Sequence, residues 1–157
     1  MTILALDPGT AMTAYVRMSH DGTIEAHGKL PNEQMIAVVD GHPYMQPVVC
    51  EMIASYGMSV GSEVFDTCVW IGRFWERHAG SWDARTFHRL YRKDIKSHLC
   101  HSMKANAAAI RCALIDRYGP GKDKAIGTKK NPGPLYGIKA DVWAALAVAV
   151  TWKDTHP

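Results

Sequence analysis

Short apolar runs bounded by turn residues alternate along the chain with longer stretches in which apolar positions recur at helical spacing. Ile3-Leu4-Ala5-Leu6 has no room for a helix before Pro8 and Gly9, so it reads as a buried strand ending in a tight turn. Residues 13–18 and 23–30 read as two further extended segments, and the Asp21-Gly22 pair between them is a hairpin signal. Three antiparallel strands therefore open the chain. A short helix is predicted over 31–39 and is broken by Gly41-His42-Pro43. The β-branched run 47–53 is the fourth strand, with Glu51 near its end.

Residues 62–78 carry a helical stripe of Val64, Cys68, Ile71 and Trp75 behind a plausible Ser62 cap. Phe65, Val69, Trp70 and Phe74 widen the apolar arc beyond what one sheet contact requires. The surplus is read either as a broad core contact or as a subunit interface through Trp70 and Phe74. A fifth strand is predicted over 84–91, then helices over 92–101 and 105–118, interrupted around 102–104. The second of these buries Ala109, Ile110, Ala113 and Leu114, leaving Arg111 and Arg117 toward solvent. Residues 119–136, rich in Gly, Pro and Lys, lack apolar periodicity and read as a long basic loop. The last helix is predicted over 139–152, with Asp141 in its first turn and small residues suited to close packing on a sheet.

This order predicts one α/β domain over 1–157, built on a five-stranded mixed sheet flanked by helices. The 157 residues, 47% hydrophobic, are enough for one real core. Eighteen Lys and Arg against fifteen acids give a net charge of +3, compatible with a local basic face without proving one. No apolar run reaches the length of a membrane span, and no charged leader precedes the first apolar stretch, so a soluble, cytoplasmic protein is expected. The four cysteines show no CxxC spacing and read as buried thiols. His98 and His101 share a helical face that excludes Cys100, which disfavours a zinc site.

Candidate chemistry rests on three acids in matching settings. Asp7 ends the first strand, Glu51 lies near the end of the fourth, and Asp141 opens the last helix. Two of them have an ordinary reading: Asp7 as the start of an Asp-Pro-Gly turn, Asp141 as a partner of the helix dipole. Together they can converge if the first and fourth strands are neighbours. Carboxylates in one pocket repel unless cations lie between them, and oxygen-only donors select Mg²⁺, or Mn²⁺ as a substitute.

The pattern resembles the RuvC family of Holliday junction resolvases, within the ribonuclease H-like superfamily. Leu6-Asp7-Pro8-Gly9-Thr10 is similar to the family's first motif and Val49-Cys50-Glu51 to its second. The stretch from Tyr91 to Lys96 is similar to its segment with a phosphate-facing lysine, and Asp141 with the alanine-rich run after it to its last motif. Gly61-Ser62-Glu63-Val64-Phe65, Trp70-Ile71-Gly72-Arg73-Phe74 and Gly127-Thr128-Lys129-Lys130 are worded more like phage and prophage members, which implies a bacterial or phage-infected cell. The family's last helix carries two ligands three residues apart, whereas Asp141 here has Ile138 before it and Ala144 after it. A second basic position of the family falls near Ala107, with Lys104 as a possible stand-in.

The resemblance implies a ribonuclease H-like fold and a homodimer that cuts a four-way DNA junction in two strands of like polarity. It implies two metal ions about 3.5–4 Å apart, held by Asp7, Glu51 and Asp141, with Lys96 offsetting charge on the phosphate. Arg73, Arg92, Lys93, Lys104, Lys129 and Lys130 are the expected DNA contacts. No membrane partner and no small-molecule cofactor are expected. A flap or general branched-DNA nuclease and a ribonuclease H are rivals on the same fold. A sugar-kinase-like ATPase would need a second domain, and three acids in register argue against a non-catalytic DNA-binding module.

Overall fold

The computed structural model describes residues 1–79 and 86–157. Strands β1 (Thr2–Pro8), β2 (Met12–Ser19) and β3 (Ile24–Pro31) form an antiparallel meander, followed by helix α1 (Asn32–Asp40). Strand β4 (Val48–Met52), helix α2 (Ser62–Ala79) and strand β5 (Phe87–Tyr91) come next. Four helices complete the chain: α3 (Arg92–Cys100), α4 (Ala107–Tyr118), α5 (Gly121–Ala125) and α6 (Val142–Thr155). The sheet order is β3-β2-β1-β4-β5, with β4 parallel to β1 and β5 parallel to β4. The five-stranded mixed sheet is therefore the one predicted, with the first and fourth strands side by side. Residues 84 and 85 of the predicted fifth strand lie outside the described residues.

Strand alternation divides the core into two layers. Ile3 and Ala5 of β1, Val16 of β2 and Val49 of β4 face α6 and the helices around it. Leu4, Leu6 and Cys50 face the opposite layer of α1 and α2. Helix α6 is buried on nearly all sides from Val142 to Trp152, because it lies between the sheet and α3 and α4. Its alanines let it approach the strands closely.

Three predictions need correction. Phe74 is fully buried in the layer between α2 and the sheet, so it is not a surface ring, and Trp70 is partly buried against the same layer. The buried seam of α2 runs through Thr67, Ile71, Phe74 and His78, which leaves Phe65 and Val69 exposed instead. The stretch 119–136 is not a bare loop. It contains α5 and a bridge between Gly127 and Pro132, and it is pinned by fully buried Ala125 and Leu135. Single anchors and a five-residue helix leave no periodicity to read. Finally, α6 begins at Val142 rather than near residue 139, because Ala140 takes a left-handed conformation at φ 49°.

Candidate active site

The register of the sheet places the first two acids. Leu6 pairs with Cys50 across the parallel β1–β4 contact, so Asp7 and Glu51, one residue further on, are neighbours at the same strand edge. Strand alternation turns both toward the α6 side, since Leu6 and Cys50 point the other way. The third acid is delivered by the turn before α6. Ala140 in its left-handed conformation redirects the chain, and Asp141 then occupies the N-cap position without a side-chain cap bond. Its carboxylate is free to face the strands instead of the helix dipole.

Beyond Asp7 the chain turns sharply. The Gly9 amide donates to the Met12 carbonyl at 2.9 Å, and a Cβ on Gly9 would lie 2.7 Å from that oxygen, so the turn needs glycine. Buried Asn32, the first residue of α1, locks it. Its side-chain oxygen accepts from the Thr13 hydroxyl at 2.6 Å, and its amide donates to the Gly9 carbonyl at 2.9 Å.

Electrostatics identify Asp7 as the centre. Burial first, then the charges of Glu51 and Asp141, push its carboxyl up to about 7, against the opposing pull of Arg92 and Lys29. Burial also raises Glu51, while Arg92 and Lys96 hold it down. The Arg92 Nε donates to Glu51 at 2.7 Å, and the Lys29 ammonium pairs with Asp141. As they stand, the side chains do not close a metal shell: among the described residues no three His, Cys, Asp or Glu groups form one. The donor chemistry still fits a hard divalent ion, because Asp7 lies beside Glu51 at paired strand ends and shares a groove with Asp141, and its buried carboxyl resists ionisation without a counter-charge. Ile138 is buried in the core and Ala144 carries no donor, so neither position beside Asp141 supplies a fourth ligand.

Two grooves flank the acids. One, of about 350 Å³, is lined by residues 7–12 with Lys29 and Asp141. The other, of about 620 Å³, is lined by Glu51, residues 52–54, Tyr56, Arg92, Lys93, Lys96 and Met103. Lys96 and Lys93 thus line the same groove as Glu51. Lys104 follows Met103 in the exposed turn between α3 and α4. Lys129 and Lys130 occupy the exposed turn closed by Thr128 and Asn131. Arg73 does not join this surface. It belongs to the opposite layer, where it lies 4.2 Å over the Trp70 ring and 3.6 Å from Glu33.

Sequence reasoning missed four participants. Lys29 falls in the same cross-strand row as Asp7, with Ala14 between them, a juxtaposition set by strand order and register. Tyr56 and Met103 are exposed at the rim of the larger groove. Arg111 lies 4.8 Å over Trp143, two residues from Asp141, one helical turn beyond Ala107. His98, by contrast, is no metal ligand here: its Nε2 meets Asp154 at 2.7 Å.

No family model matches the chain, and no curated protein matches it in sequence. Among solved structures, the chain is similar to Thermus thermophilus RuvC at 13% identity and a TM-score of 0.57, covering 96% of this chain and 92% of that one. It is also similar to T. thermophilus RuvC in complex with Holliday junction substrate, at 13% identity and a TM-score of 0.62, with the same coverage. The chain has a RuvC-like fold, and a phage origin finds no support in these likenesses.

Proposed function

We propose that this protein, with Asp7 and Glu51 at adjacent strand ends of a RuvC-like fold and Asp141 at the start of α6, is a divalent-metal-dependent endodeoxyribonuclease that acts on branched DNA. The four-way junction is the substrate favoured by the neighbour that carries one. The observation that supports the reading is that Asp7 lies beside Glu51 at paired strand ends and shares a groove with Asp141, its carboxyl raised to about 7 by burial and by the other two acids. Such a site is costly unless a cation completes it.

Asp7, Glu51 and Asp141 would hold Mg²⁺ or Mn²⁺, which supplies a hydroxide nucleophile near neutral pH and neutralises charge on the phosphate. The chain's own residues bind and orient the strand. Lys96 and Lys93 line the groove beside Glu51, where their ammonium groups offset phosphate charge. Arg92 pairs with Glu51 and lines the same groove, so its guanidinium is within reach of both the carboxylate and a bound phosphate. Tyr56, two-thirds exposed at the groove rim, offers a ring on which an unpaired base can stack. Lys104, Lys129 and Lys130 extend the basic surface. A homodimer would present two such sites, one for each cut, and the exposed apolar side of α2 is the surface for it. A ribonuclease H shares the acids but does not need this basic and aromatic groove.

The test uses labelled four-way, flap, RNA–DNA hybrid and linear substrates with Mg²⁺ and with EDTA. The wild-type protein should cut the four-way junction in Mg²⁺ alone. Asp7→Asn should lose cleavage by at least about a thousandfold and keep junction binding, since it removes a ligand and one negative charge but no basic contact. Normal cleavage by this variant would end the metal assignment.

A further inference from the structure

Lys29 is out of place for a site that has to attract divalent cations. It stands on β3 opposite Ala14, which stands opposite Asp7 on β1, so all three belong to one row across the sheet and point toward α6. Strands are about 4.8 Å apart, so Lys29 starts two strands from Asp7. Only a small intervening side chain lets it lean inward, and Ala14 is fully buried with a single methyl. The ammonium ends on Asp141, in the groove that Asp7 also lines. Lys29 acts on Asp7 as well, in opposition to the other two acids.

We propose that Lys29 is a built-in counter-ion of the acidic site, occupying the Asp141 end in the free protein so that a divalent ion enters there only as Lys29 is drawn away. The inference rests on the nuclease reading for its metal. The chain lacks a fourth acid beside Asp141, and the lysine supplies the balancing charge where that acid would have increased the repulsion. Exchange is feasible because the pair is half-exposed, with Lys29 at 41% and Asp141 at 55% side-chain accessibility. Exposed pairs of this kind are weak. A DNA phosphate in the groove offers the ammonium an alternative partner, and release of Asp141 follows. Metal occupancy at this end is thereby coupled to substrate. Lys29 acts through Asp141 and is a positioning residue.

The experiment titrates Mn²⁺ into the free wild-type protein, Lys29→Met, Lys29→Gln and Lys29→Arg, following free Mn²⁺ by electron paramagnetic resonance. Removing a unit charge this close to a divalent ion should tighten binding about tenfold in the Met and Gln variants, or add a second bound ion. Lys29→Arg should titrate like wild type. With an uncleavable junction bound, the wild-type affinity should approach that of Lys29→Met. If wild type binds Mn²⁺ and the Met and Gln variants match it, Lys29 is a surface lysine and the inference fails while the nuclease reading stands. If no variant binds Mn²⁺, the metal reading fails and takes this one with it.

Discussion

At the scale of single residues, the free site works against the fold. Asp7 ionises in the unfolded chain near the model-peptide value of 3.8 but in the folded protein at about 7. The folded state therefore binds the extra proton, and stability falls as pH rises from about 4 to about 7. Three pH units correspond to about 4 kcal/mol at the upper end, with Glu51 adding in the same direction. His42 has the opposite sign. Burial, then the nearby His78, lowers it to about 4, so its contribution is present above 6.5 and is lost as pH falls toward 4. Comparing variants separates the two. In EDTA, Asp7→Asn should match wild type near pH 4.5 and exceed it by 2–4 kcal/mol, an order-of-magnitude figure, at pH 8. Mg²⁺ should then stabilise wild type and leave Asp7→Asn unchanged. Urea unfolding at both pH values measures this, and equal stabilities at pH 8 would show that the carboxyl ionises without cost.

At the scale of elements, the start of α6 shows how function is built into backbone geometry. Ala140 at φ 49° costs about 1 kcal/mol relative to glycine, and in return it ends the preceding turn and frees Asp141 from helix capping. Ala140→Gly should therefore raise stability by about 0.5–1 kcal/mol in thermal unfolding, with the fold unchanged. A loss of stability would mean that the methyl packs to more effect than the strain. No residue in Ile138-Lys139-Ala140-Asp141 signals this break, which is why periodicity alone extends the helix back to residue 139. Legibility follows the same rule elsewhere. The strands were readable because apolar runs and Gly or Pro punctuation are local, and the acids because each ends a readable element. Lys29 and Asn32 were not, because their roles depend on which strand lies beside which. The stretch 119–136 was misread because its order rests on two anchors, Ala125 and Leu135, rather than on a repeating face.

At the scale of the whole molecule, the two core layers have different duties. The α6 layer carries the acids, while the α1–α2 layer lies on the other side of the sheet and ends in an exposed apolar stripe. Phe65 and Val69 are one turn apart on α2 and each is more than three-fifths exposed, and Val69 borders a groove with Ile36, Gly72 and Arg73. Isolated exposed apolar residues are common, but an aligned pair beside a groove is the form a subunit contact takes. Phe74 is the natural control, since it shares the helix but is buried in the chain's own core, where truncation leaves a cavity. In the homodimer proposed above, replacing both Phe65 and Val69 by Ser should shift the equilibrium toward monomer with little change in the stability of the subunit. Phe74→Ala should instead cost about 3–5 kcal/mol in subunit stability. Light scattering over a concentration series, read beside urea unfolding, distinguishes the two. A double variant that is dimeric at micromolar concentration would remove α2 from the proposed interface.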